Sequence, residues 1–112
     1  MNYIQWTDFE KVDIRVGTII EVADFPEARK AAFKIKVDLG AELGIKQSSA
    51  QLTVHYTPES LLGKQVICIV NFAPKQIGKY LSEILITGFP DEHQGVVLAQ
   101  PHLPIPNGSK LF

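Results

Sequence analysis

The chain has 112 residues, 46% of them apolar, a formal net charge of −1 and one cysteine. This size and composition give one folded domain, residues 1–112, and exclude both a disordered chain and an indiscriminate binder of polyanions. A lone cysteine excludes an internal disulfide, and no apolar run approaches the roughly 20 residues needed to cross a bilayer.

Residues 1–11 lack the basic-then-apolar pattern of an export signal, so a reducing, cytoplasmic setting without membrane insertion is expected. Thr7-Asp8-Phe9-Glu10-Lys11 predicts a single helical turn capped by Thr7 or Asp8. The first strand follows, with Val12, Ile14, Val16, Ile20 and Val22 on one side and Asp13, Arg15, Gly17 and Glu21 on the other. Gly17 in mid-strand predicts a bulge or sharp bend. A second strand alternates Phe33, Ile35, Val37 and Leu39 with Lys34, Lys36 and Asp38, giving a buried face and a basic outer face. A third sets Ala50, Leu52 and Val54 against Ser49, Gln51 and Thr53. Thr57-Pro58-Glu59-Ser60-Leu61-Leu62-Gly63 predicts a short helix, with a threonine cap, proline in the first turn and glycine past the end. Residues 66–70 are apolar without a break, as in a central strand, and Cys68 within them reads as a small buried hydrophobe. Residues 82–89 form a fifth strand and residues 96–99 a shorter sixth. Pro101, Pro104 and Pro106 forbid a regular ladder in the tail, which is extended.

Five strands with a short helix between the third and fourth predict an all-β OB-fold. This is a five-stranded Greek-key barrel, here with extended N- and C-terminal arms. Such barrels often bind oligonucleotides across their second and third strands, and here the second strand carries Lys34 and Lys36, a link by analogy of fold. The charge is unevenly spread. Residues 29–79 hold eight Lys and Arg against three Asp and Glu, whereas residues 1–28 hold two against six. If the central lysines share a face, they attract phosphate despite the neutral whole. Between the fourth and fifth strands, residues 71–83 carry an amide, two lysines, a serine and a glutamate that no core requires. Polar groups on a loop between rigid strands are characteristic of binding surfaces.

Catalytic chemistry is not indicated. His55, His93, His102 and Cys68 lack the spacing of metal ligands, so neither a metal nor a cofactor is expected. Gly63-Lys64 and Gly78-Lys79 lack both the leading glycine and the following Ser or Thr of a phosphate loop. No serine sits in a nucleophile elbow. A binding protein, not an enzyme, is the expectation.

Several segments together resemble a known family. Phe9-Glu10-Lys11-Val12-Asp13-Ile14-Arg15-Val16-Gly17-Thr18-Ile19 is similar to the opening of the tRNA-binding OB domain found appended to some methionyl-tRNA synthetases. Val37-Asp38-Leu39-Gly40, Gly63-Lys64-Gln65-Val66, Asn71-Phe72-Ala73-Pro74 and Ser82-Glu83 keep that family's order. Within it the chain most resembles the free-standing CsaA-type export-related chaperones. The segments that carry this are Pro26-Glu27-Ala28-Arg29-Lys30, Gln47-Ser48-Ser49-Ala50-Gln51-Leu52-Thr53 and Val70-Asn71-Phe72-Ala73-Pro74-Lys75-Gln76-Ile77-Gly78. Phe25-Pro26-Glu27-Ala28-Arg29 departs from the wider family's His-Pro-x-Ala-Asp type, and Ile84-Leu85 from its Gly-Met after Ser-Glu. The resemblance implies an OB-fold homodimer that binds tRNA, with a chaperone role in protein export and unfolded or export-bound polypeptides as further partners.

On these grounds Lys34, Lys36, Lys75 and Lys79 are the expected phosphate contacts, since lysine pairs with phosphate as a point charge. Asn71 and Gln76 offer amides for base edges or ribose, although Asn71 also suits a turn cap. Ser82 and Glu83 match the family's Ser-Glu motif, with Glu83 accepting from a base amine, a 2′-OH or a lysine. Ser49 and Gln51 line the same face. Phe33 and Phe72 are both able to stack on bases, but alternation places Phe33 in the core. Trp6, Phe9, Leu103, Ile105, Leu111 and Phe112 are the expected dimer contacts. Two alternatives stand beside RNA binding. One is a peptide-binding export chaperone with incidental RNA affinity, the other a structural assembly module acting through its terminal arms.

Overall fold

A computed structural model describes residues 1–112. In chain order the elements are α1 (Trp6–Glu10), β1 (Ile14–Asp24), β2 (Phe33–Asp38), α2 (Gly40–Leu43), β3 (Ile45–Ala50), α3 (Pro58–Leu61) and β4 (Gln65–Ile69). There follow β5 (Lys75–Ile77), β6 (Tyr80–Ser82), β7 (Leu85–Ile86), β8 (Gly88–Pro90) and β9 (Val96–Leu98). An antiparallel sheet of order β3-β2-β1-β4-β7 curls into a nearly closed OB-type barrel, with β5-β6 and β8-β9 as hairpins.

β1 is the hub. Its first half pairs with β4, from Ile14↔Ile69 to Thr18↔Gln65, and its second half with β2, ending at Asp24↔Phe33. Between the halves the register slips at Ile20, which lies opposite no residue of β2. This bulge corrects the expected alternation. Gly17 and Ile19 face inward before it and Val22 after it, while Ile20 is 42% exposed. Val16 points to the outer face and is buried there by the C-terminal arm. Gly108 N–H donates to Val16 O (2.7 Å), Val16 N–H to Ser109 O (3.0 Å) and Leu111 N–H to Ile14 O (2.9 Å). Gln65 secures the arm by donating to Ile105 O (2.7 Å) and accepting Ile105 N–H (3.1 Å).

β2 follows its pattern, with Phe33, Ile35 and Val37 buried. β3 does not. It occupies 45–50 because the α2 turn returns the chain early, pairing Ile45 with Asp38 and Ala50 with Phe33. Thr53 and Val54 lie outside the sheet, and Val54 is 56% exposed. α3 forms as expected: Thr57 accepts from Ser60 N–H (3.1 Å) and Leu61 is fully buried. α1 begins one residue before the predicted turn. Asp8 acts from its third position, accepting Gln5 N–H at 2.8 Å. The expected strand at 82–89 is broken, because residues 80–90 pair with three different partners in turn: β6 joins β5, β7 joins β4 and β8 joins β9.

Thirteen side chains form the core, among them Ile19, Phe33, Ile35, Leu39, Leu61, Val66 and Cys68. Desolvation pushes the Cys68 thiol up to about 12, so it stays protonated and inert.

Candidate nucleic-acid interface

The barrel closes where β3 meets residues 81–83, and side chains make most of that seam. Glu83 N–H donates to Gln47 O (2.8 Å), and Gln47 N–H returns to the Glu83 carboxylate (3.2 Å). Ser49 N–H donates to Ser82 Oγ (3.1 Å), and the Gln47 amide to Leu81 O (2.8 Å). The predicted site residues Ser82 and Glu83 therefore satisfy two amides of β3 that a neighbouring strand would otherwise take.

The same residues line a cleft of about 460 Å³. Its wall combines Ser49, Lys75, Ser82 and Glu83 with Phe72, Ile77 and Leu85. The β5-β6 register explains the grouping: Lys75 lies directly opposite Ser82, so both side chains stand on one face. Gly78 turns this hairpin at φ +59°, the left-handed first position that a type II′ turn demands, and places Lys79 at the tip. Phe72 is 57% exposed, unlike Phe33, which is buried in the core as alternation indicated.

A second cleft, about 480 Å³, brings Lys34 and Lys79 together with Phe25, Glu27 and Tyr80. Lys34 Nζ lies 4.9 Å from the Phe25 ring centre and 5.5 Å from that of Tyr80, and 3.9 Å from the Glu27 carboxylate. Tyr80 meets Phe25 edge-on at 5.3 Å. Burial, with Glu83 and Glu21 nearby, pushes the Tyr80 phenol up to about 12. The uncharged hydroxyl donates to Ser48 O (3.3 Å). Neither Phe25 nor Tyr80 was among the sequence candidates. Phe25 lies in the segment before the basic strand, but Tyr80 begins β6 and carries no local signal that links it to that strand.

The remaining candidates are placed less uniformly. Lys36 stands outside both clefts and pairs with Glu21 across the β1–β2 ladder (3.4 Å). Gln51 shares a third groove with Ser49. Gln76 is exposed, its amide donating to Gly78 O (2.8 Å) within the hairpin. Asn71 accepts Asp13 N–H (3.0 Å) and donates to Lys11 O (2.7 Å), fastening the segment that leads into β1, the cap-like role that rivalled base recognition.

The terminal arms gather apolar groups on the opposite side. Trp6 packs on Phe9 (5.1 Å), and both line a groove with Leu111 and Phe112. An adjoining groove of about 210 Å³ is lined by Ile105, Leu111 and Phe112 with Ile14 and Val16. Trp6 is 65% exposed, Leu103 67% and Phe112 fully exposed.

No three His, Cys, Asp or Glu side chains converge as a metal site would require. His55 pairs with Asp91, joining the loop before α3 to the β8-β9 turn. Asp91 also accepts the N–H groups of His93 (2.9 Å) and Gly95 (2.8 Å). These bonds, that from His55 foremost, hold the Asp91 carboxyl below the usual carboxylate range. A carboxyl with a lowered folded value stabilises the fold fully above its ordinary range and loses that effect as pH falls through the lowered value. Thermal melting between about pH 5 and pH 2 is therefore expected to fall more steeply for the wild type than for Asp91→Asn. Parallel curves would remove Asp91 from the acid response.

Residues 14–110 match the family described as "Putative tRNA binding domain". The methionine–tRNA ligase of Pyrococcus horikoshii is 39% identical over 111 residues, and that of Methanocaldococcus jannaschii 37%. The match covers 99% of this chain, but the chain spans only 15% and 17% of those two proteins. Among solved structures, chaperone CsaA from Bacillus anthracis superposes with a TM-score of 0.93 at 43% identity, covering 99% of this chain and 100% of that one. CsaA chaperone protein from Picrophilus torridus gives 0.92 at 44%, covering 98% and 100%. A MetRS-related protein from Pyrococcus horikoshii, at 23% identity and a TM-score of 0.86, shares the fold. Family match, identity and superposition agree across nearly the whole chain: it belongs to the tRNA-binding domain family, in its CsaA-type branch.

Proposed function

We propose that this protein binds tRNA across the face formed by β3, the 71–83 segment and β2, as a cytoplasmic, non-catalytic CsaA-type module. The observation that carries this reading is the pair of neighbouring clefts that holds Lys75 with Ser49, Ser82, Glu83 and Phe72 in one, and Lys34 with Lys79 in the other. Lysines give salt-dependent grip on phosphate, and an exposed aromatic gives a base somewhere to stack. Lys36, Gln51, Asn71 and Gln76 lie outside this pair, and we assign them to its periphery. A tRNA titration at two salt concentrations tests the reading. Binding that weakens steeply with salt supports it, and no binding at low salt ends it.

The terminal arms support a homodimer. Trp6, Phe9, Leu103, Ile105, Leu111 and Phe112 form an apolar surface of the kind two-fold interfaces bury, and a dimer doubles the basic face offered to one RNA. A solution mass near twice the chain's 12.4 kDa is expected by light scattering. A monomer at micromolar concentration would leave those arms without a partner copy.

A chaperone role toward export-bound polypeptides rests on the CsaA relatives. The apolar floor of the Phe72 cleft favours it as a second reading. Suppressed aggregation of an unfolded client, unaffected by loss of Lys75 and Lys79, is the result that would support it.

A further inference from the structure

The Phe72 cleft contains a group that a plain phosphate grip does not need. Glu83 carries a negative charge into a surface proposed to meet a polyanion. No lysine or arginine lies within 4.0 Å of it, although Lys75 lines the same cleft. One carboxylate oxygen, Oε1, accepts the Gln47 N–H, while Oε2 accepts no hydrogen bond from the chain. An ionised carboxylate only accepts, so its free oxygen calls for a donor from the ligand and repels phosphate oxygens.

The other walls limit what that ligand can be. Phe72 presents an exposed ring, Ile84 in the same wall is buried, and Lys75 supplies a positive charge on the face of Ser82. A volume of about 460 Å³ lies in the roughly 300–1,000 Å³ range of small-ligand sites and admits one nucleotide. A flat group that stacks, presents an amine donor at its edge and trails a phosphate matches all three features. A polypeptide meets the same features only where a planar donor side chain such as arginine stands beside an acidic group.

Resting on the tRNA reading, we infer that this cleft takes a single unpaired nucleobase bearing an exocyclic amine. The base stacks on Phe72, donates its amine to Glu83 Oε2 and sets its phosphate against Lys75. Adenine, cytosine and guanine each present such a donor, whereas uracil has no exocyclic amine and presents carbonyl oxygens instead. Glu83 is thus the specificity-determining residue, and Lys75 adds affinity without discrimination.

The test is fluorescence anisotropy with labelled oligo(A), oligo(C) and oligo(U) of about ten nucleotides, a length within the footprint of one OB barrel. Unlabelled tRNA serves as competitor. The wild type is expected to bind oligo(A) and oligo(C) at least about fivefold more tightly than oligo(U). Glu83→Gln keeps an acceptor for Gln47 N–H and adds an amide donor, so it should fold normally, gain affinity for oligo(U) and bring the ratio toward one. Lys75→Ala should weaken all three alike. If tRNA competes but the wild type shows no preference, or Glu83→Gln keeps the preference, the base pocket is wrong and the tRNA reading stands. If neither oligonucleotides nor tRNA bind, both fall. If only an unfolded polypeptide occupies the cleft, the site belongs to peptide instead.

Discussion

Replacing Lys75 and Lys79 together by alanine is expected to weaken tRNA binding by about tenfold to a hundredfold at low salt. The slope of log affinity against log salt should also fall by about 2. Each lysine that neutralises a phosphate releases roughly one condensed counterion, so affinity and slope report the same contacts. Both side chains are exposed, and neither has a carboxylate within 4.0 Å to share its charge. Lys75 stands on β5 and Lys79 in the turn of the same hairpin, so they reach the two adjoining clefts from a single element. Lys34 and Lys36 provide the comparison. Each already faces a glutamate, and Lys34 is also held over two rings. Exposed ion pairs of this kind contribute about 0–1 kcal/mol, so phosphate can displace them, but the net gain is smaller. Losing Lys34 and Lys36 should therefore cost less affinity than losing Lys75 and Lys79. An unchanged slope in the Lys75/Lys79 double variant would move the phosphate path off the hairpin.

Gly17→Ala is expected to destabilise the barrel by about 2–3 kcal/mol, read as a lower urea midpoint at unchanged denaturant dependence. A Cβ at this position would stand 2.9 Å from the carbonyl oxygen of Asp38 and closer still to the side chains of Val37 and Leu39. Ordinary contact begins about half an ångström further out. Val37 and Leu39 are fully buried, so they have no solvent to swing into. The only relief is to push β1 away from β2 beside the Ile20 bulge, where the sheet is already irregular. A variant that melts with the wild type would mean the two strands have slack.

The sequence was most readable where local chemistry and tertiary packing agree. α3 could be placed from Thr57, Pro58 and Gly63 because a cap, a first-turn proline and a terminating glycine act within one turn. β2 could be placed because each of its residues has a partner on both sides and the bulge falls on β1 instead, so strict alternation survives. β1 was harder. Its apolar residues at 16, 20 and 22 form one clean stripe on paper, but the bulge absorbs Ile20 and shifts the phase, and the C-terminal arm gives Val16 a second burial site. The alternation over 49–54 places β3 four residues too late. Ala50, Leu52 and Val54 alternate well, yet its register is set by the α2 turn, whose short length carries little periodic signal.

The candidate site was partly legible for a similar reason. Lys75, Lys79, Ser82 and Glu83 could be recognised as polar groups with no core to serve, and they do share one hairpin or its flank. Their partners could not be read. Ser82 and Glu83 bond to β3 residues more than 30 positions away, and the glutamates facing Lys34 and Lys36 come from across a ladder or a loop. Asn71 shows the limit most clearly. Its amide suits a base and, as a rival, a turn cap, and only the position of residues 11–13 shows where its bonds go.

The side-chain seam has a thermodynamic corollary. In an ordinary barrel the final closure is a backbone ladder, indifferent to whatever lies in the binding groove. Here the residues that draw β3 against residues 81–83 are also residues of the cleft wall, so occupancy and closure are linked equilibria. A ligand that prefers the closed seam must tighten it, and a change that tightens the seam must, by reciprocity, raise affinity for that ligand. Ser82 and Glu83 can therefore tune how firmly the barrel shuts and how firmly it holds its guest with one and the same set of atoms.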